Sequence, residues 1–244
     1  MAAMSANLCA SDSTKPAPVR SLSEEKTAHF NTLLLCETII VTVAAIGIIK
    51  LLSSSNVNHL AIPAILMAAA LIPTIIRGHS LKHIGLNTKN ARLSLRLFLQ
   101  ASFLILPLTF LALWLLKLCG INLLLQQGAG LQSGWTYWIV YQFLYAALTE
   151  EVFFRGYLQS NIITLMRKST NKQRKVRRYS AVFISAILFG AAHVVIRSQI
   201  AGILTFFPGL VFGWLFLRTR SLVAPVLFHG LANTCYCLFC MVLT

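Results

Sequence analysis

Seven apolar runs divide this chain, at about 31–52, 60–76, 97–119, 135–166, 180–196, 200–217 and 222–243. Runs near 20 residues match the hydrocarbon thickness of a bilayer, where only helices satisfy their backbone polar groups one segment at a time. Charged residues make up 11% of the chain, against about 25% in soluble domains, and mean hydropathy is +0.74. The pattern predicts an all-α fold, a polytopic transmembrane helix bundle of about seven spans. The second run is short and carries Pro63 and Pro73. The fourth is too long for one perpendicular crossing, so it is expected to tilt, to kink near Gly156 or to extend beyond the lipid.

The net charge of +15 would suggest nucleic acid in a soluble protein. Here the basic residues fall between apolar runs, where they set topology and attract anionic lipid; no nucleic-acid partner is expected. Segment 77–96 holds Arg77, Lys82, Lys89, Arg92 and Arg96, and segment 167–178 holds seven more, from Arg167 to Arg178. Arg218 and Arg220 occupy the turn before the last run. With seven spans, all these share one side with the N-terminus, whereas segments 53–59 and 120–134 contain no Lys or Arg. The positive-inside rule then places the N-terminus in the cytoplasm. Residues 1–30 read as a flexible polar tail, helical from about Ser23, and 31–244 as the membrane domain. No cleaved signal peptide is expected.

Only two acidic residues follow position 37, and they are neighbours, Glu150 and Glu151. A carboxylate in hydrocarbon costs at least a few kcal/mol, about 2.5–3.5 on insertion scales, so it needs a partner or a purpose. Glu151 and Arg155 are four apart with the acid first, the favourable spacing for an ion pair on one helix. Glu150 points about 100° away and has no local counter-ion, which suits a general base or acid. His193 follows Gly190, Ala191 and Ala192, small residues that permit close helix approach. His229 and Asn233 share one helix face and can present two donors to an oxyanion, or serve as interhelical glue. Cys237 and Cys240 continue that stripe as small buried groups.

Known intramembrane protease chemistries can be tested against the residues present. Helix-borne H-E-x-x-H does not occur, and no Asp follows Asp12. Ser133 sits at a loop edge without a small-residue nucleophile turn. What remains is a Glu with two His and an Asn.

Together these segments resemble the CPBP family, which includes the CAAX prenyl endopeptidases and the bacteriocin-processing or Abi proteins. The motif E-E-x-x-x-R followed by Gly is met by Glu150, Glu151, Arg155 and Gly156. F-x-x-x-H is met by Phe189 and His193, and H-x-x-x-N by His229 and Asn233. The segment from Gly209 to Pro225 looks like the family's connecting segment, and Lys82 to Leu86 like its upstream L-G-L element. The motif core spans 148–233, about a third of the chain.

The resemblance implies a glutamic-type intramembrane endopeptidase acting near the C-terminus or membrane anchor of a hydrophobic or membrane-anchored peptide or protein. Carried over, Glu150 and His193 activate a water, His229 and Asn233 hold the oxyanion, and Glu151 and Arg155 position the helix. No cofactor is expected; zinc on Glu150, His193 and His229 is the alternative, favoured by ligand type but not by spacing. The implied location is a multi-pass protein of a prokaryotic cytoplasmic membrane. Two other classes are a catalytically silent scaffold or immunity protein, and a proton-coupled transporter, for which the expected inverted repeats are absent.

Overall fold

In the computed structural model, residues 22–54, 61–121, 134–166 and 171–243 are described. The first 21 residues and Ser133 lie outside them. Seven helices run through the described residues, and no strand accompanies them. They are α1 (Leu22–Ser54), α2 (Ala61–Ile76), α3 (Ala91–Leu118), α4 (135–165), α5 (Asn171–Arg197), α6 (Ile200–Thr219) and α7 (Val223–Leu243). Stretches of α1, α3, α5, α6 and α7 are long and apolar enough to cross a membrane, while α2 has 16 residues. The chain is an integral membrane protein built as an all-α bundle.

Two helices start earlier than the apolar runs do. α3 begins at Ala91, not near 97, and α5 at Asn171, not near 180. Hydropathy marks where lipid begins, but Arg, Lys and Gln are good helix formers and carry the coil on past it. Helix α1 likewise takes in residues 22–30 of the segment read as tail.

The fourth helix absorbs its excess length by rewinding. Trp135–Val140 is α-helical, Tyr141–Ala147 is a π-helix, Leu148–Glu151 is a single α turn, and Val152–Gln159 is π again before Ser160–Leu165 closes as α. Bonds from i to i+5 put more residues in each turn, so this helix is shorter than its residue count implies. Gly156 lies in the second π segment and serves close packing. A Cβ there would stand 2.7 Å from the Ile84 carbonyl oxygen.

That contact belongs to a plug. Segment 77–90 folds over the end of α6 and α7, with Leu222 N donating to Gly85 O at 3.0 Å and Ser221 Oγ to Asn87 O at 2.6 Å. Asn87 and Asn90 return the link, donating Nδ2 to Arg220 O at 3.0 Å and Thr219 O at 2.7 Å. Ile84 is buried beneath it. The basic segments 77–96 and 218–222 therefore sit together at one end, as the charge count required.

Between α1, α2 and α4 lies a polar cluster that the sequence did not announce. Arg77 pairs with Glu37 at 3.5 Å and donates to Asn161 Oδ1 at 3.2 Å. Tyr157 Oη donates to Glu37 Oε1 at 2.9 Å, and Asn161 Nδ2 to Thr38 Oγ1 at 3.2 Å. Below it an aromatic ladder ties α4 to α7. Phe154 meets Phe189 edge-on at 5.0 Å, Phe189 meets Phe212 at 6.1 Å, and Phe212 meets Phe228 at 5.9 Å. Helices in lipid gain little from burial alone, so such shape-matched and hydrogen-bonded contacts hold the bundle.

Two glycines make a paired test. Gly156→Ala drives a Cβ into backbone and should cost about 1–3 kcal/mol in detergent unfolding. Gly47→Ala on α1 meets nothing within 4 Å and should be neutral to slightly stabilising.

Candidate active site

Glu150 and Glu151 occupy the single α turn between the two π segments of α4. Insertions of π geometry recur at functional sites because they re-aim side chains without breaking the helix. Glu151 is fully buried, and its Oε2 lies 3.2 Å from Nε of the equally buried Arg155. Arg155 Nη2 donates to Gly209 O on α6 at 3.1 Å. Its guanidinium stands 4.5 Å from the Phe189 ring centroid and 5.2 Å from that of Phe212, a cation–π cage around a fully buried charge.

Glu151 also has a partner that its spacing does not reveal. Oε1 lies 2.9 Å from His229 Nδ1 on α7. The His229 ring stacks on Phe212 at 4.5 Å and 13°. A carboxylate only accepts, so His229 carries its proton on Nδ1 and turns Nε2 toward Glu150. His193 is set the same way. Its Nδ1 lies 3.0 Å from the Phe189 carbonyl, which also only accepts, and Nε2 faces Glu150. Phe189 thus orients His193 by its backbone and by ring contact at 4.5 Å, while its face carries Arg155.

Glu150 is where these vectors meet. Its Oε2 lies 3.9 Å from His193 Nε2 and 3.8 Å from His229 Nε2. Its side chain is 23% exposed, and Oε2 itself is buried with no hydrogen-bond partner. A shared atom about 2.8 Å from two groups this far apart subtends roughly a right angle, within reach of a bridging water. With both imidazoles neutral, three acceptors converge, and a water supplies two hydrogens. His229 can donate from Nε2 only as the imidazolium, with Glu151 as its counter-ion.

Asn233, one turn beyond His229, donates Nδ2 to Gln142 Oε1 of α4 at 3.0 Å. The donors fit zinc by type, and both histidines have the Nδ1 partners that metal-bound imidazoles use. Their placement does not close on a centre: among the described residues, no three of His, Cys, Asp and Glu are grouped to hold a metal ion.

The structure therefore brings Glu150, Glu151, Arg155, Phe189, His193 and His229 into one cluster, with Asn233 tied to its edge. Counting helical rise from the basic side puts Glu150, His193 and His229 at about 25, 20 and 12 Å, an apparent mismatch. Segment 77–90 packs over the turn between α6 and α7, and the second π segment shortens α4 between Glu150 and its basic end. Phe212, Gly209 and Gln142 were missed by sequence reasoning. Only Gln142, an amide in an apolar run, carried a visible signal.

Residues 132–235 match the family model described as type II CAAX prenyl endopeptidase Rce1-like. Glu150, His193, His229 and Asn233 all fall within the matched stretch. No curated protein and no solved structure matches the chain.

The two neighbouring glutamates should respond differently to removal. Glu151→Ala strands a buried guanidinium and should cost about 3–5 kcal/mol in detergent unfolding. Glu150→Ala, which breaks no direct hydrogen bond, should leave the unfolding midpoint close to that of the parent protein.

Proposed function

We propose, on the premise that this chain belongs to the CPBP family of CAAX-type membrane proteases, that it is an intramembrane endopeptidase. It hydrolyses a peptide bond near the C-terminus or membrane anchor of a membrane-anchored or hydrophobic substrate. The observation that carries the reading is Glu150 Oε2, buried with no direct hydrogen bond and facing His193 Nε2 and His229 Nε2 at 3.9 and 3.8 Å.

In this mechanism a water held between Glu150 and His193 gives up a proton to that pair as its oxygen attacks the scissile carbonyl. The carbon–oxygen double bond opens and its electrons settle on the carbonyl oxygen. His229, as imidazolium, and Asn233 donate hydrogen bonds to that oxyanion, which strengthen as the charge develops. Collapse breaks the carbon–nitrogen bond, and the proton held by Glu150 and His193 passes to the departing amine. Glu151 and Arg155 take no proton. Arg155 pairs with Glu151, and Glu151 orients His229 through Nδ1, as the buried carboxylate of a Ser-His-Asp triad does for its histidine.

A zinc reading has one observation in its favour, the Nδ1 partners of both histidines. In that reading Glu150, His193 and His229 would hold an ion that supplies Lewis-acid activation of water. Chelators separate the two: activity that survives exhaustive chelation and is not raised by added zinc supports the glutamate mechanism.

The charge pattern supports the orientation of this reading, and the family resemblance supports its prokaryotic membrane. The N-terminus and basic segments face the cytoplasm, beside anionic lipids of a prokaryotic cytoplasmic membrane. In a cysteine-free background, a cysteine at Lys89 should resist impermeant maleimide in right-side-out cells and react after lysis.

The catalytic test is cleavage of a prenylated peptide ending in a CaaX sequence by the reconstituted protein. Glu150→Gln and His193→Ala should each lower kcat by about 10²–10⁴-fold. Full activity in Glu150→Gln would overturn the assignment.

A further inference from the structure

Asn233 carries a donor and an acceptor on one terminal group. A terminal carboxamide has a broad, roughly two-fold torsion, and a half-turn exchanges its donor and acceptor ends. Turned the wrong way, Asn233 would aim an oxygen at the oxyanion it is meant to stabilise. The hydrogen bond from Asn233 Nδ2 to Gln142 Oε1, at 3.0 Å, opposes that half-turn, which would set two carbonyl oxygens against each other.

Gln142 reaches this position because of how α4 is wound. Two rungs join the antiparallel pair α4 and α7, one from Glu151 to His229 and one from Gln142 to Asn233. The rungs are nine residues apart on α4 and four apart on α7. Straight α-helices would space them about 13.5 Å on one and about 6 Å on the other. The π segment Tyr141–Ala147 contains Gln142 and shortens the longer side. The reach of the glutamine side chain covers more. Gly230 lets the two backbones close, since a Cβ there would lie 2.5 Å from the Phe143 ring.

We propose that Gln142 is a positioning residue, acting through Asn233: it fixes the carboxamide in the orientation that presents an N–H to the developing oxyanion. This rests on the peptidase reading above. Gln142 accepts from one Nδ2 hydrogen and leaves the other for the reaction.

The test uses the reconstituted full chain and the same prenylated CaaX peptide. Gln142→Met keeps length and volume but removes the acceptor. It should lower kcat by about 10–100-fold with KM held within about twofold, the split expected when only transition-state binding is lost. Asn233→Ala should lose about 10²–10³-fold. The double variant should be no worse than Asn233→Ala alone, because Gln142 then has nothing left to position. Should Gln142→Met fail to fold, Gln142→Leu carries the same comparison. A wild-type kcat in the folded variant, or losses that multiply in the double, would overturn the proposal. Glu150→Gln, run beside them, separates the two levels. If it is inactive while Gln142→Met is fully active, only the positioning role falls; if it is fully active, both fall.

Discussion

The buried carboxylate of Glu151 is the point on which the bundle is organised. It pairs with Arg155 on its own helix and with His229 on α7. Arg155 in turn reaches the Gly209 carbonyl on α6 and lies over the Phe189 ring of α5. One ion pair thus makes contact with four helices. In hydrocarbon, removing either partner strands a charge that has no water to turn to. The contacts of the pair fix how α5, α6 and α7 stand against α4. That arrangement is what sets His193 and His229 opposite Glu150.

Adjacent in sequence, the two glutamates differ in surroundings. Glu151 is fully buried between a guanidinium and an imidazole. Glu150, rotated by about 100° on the same turn, looks into a gap with imidazole nitrogens on two sides. The buried ion pair and the cluster of facing imidazoles thereby fall to separate side chains. The aromatic ladder serves both, since Phe189 carries Arg155 on its face and His193 on its carbonyl.

Helix number, order and approximate limits were legible because lipid imposes a length on apolar runs. The Glu151–Arg155 pair was legible because both residues lie on one helix at a fixed spacing. Other features were hidden for identifiable reasons. The helical starts at Ala91 and Asn171 were obscured by charges that coil as readily as apolar residues. The π segments of α4 follow from packing against α2, α5 and α7, not from propensity. The cluster of Glu37, Arg77, Tyr157 and Asn161 is joined by contacts between residues 40, 84 and 120 positions apart, with no shared period to signal it.

By itself, the sequence determined the class of molecule, the side on which its charges gather and the residue types available for chemistry. It also determined that Glu151 has a cation one turn away and that Glu150 has none. Only the tertiary structure decided that Glu151 also holds His229, that both histidines turn Nε2 toward Glu150, and that Gln142 holds Asn233. The reason is physical. Lipid and protein interior are equally apolar, so composition does not encode how a helix is rotated or how deep it sits relative to its neighbours. Those two variables place the polar atoms of the cluster, and they are set by packing: by Gly156 against Ile84, by Gly230 against Phe143, and by the charge buried among four helices.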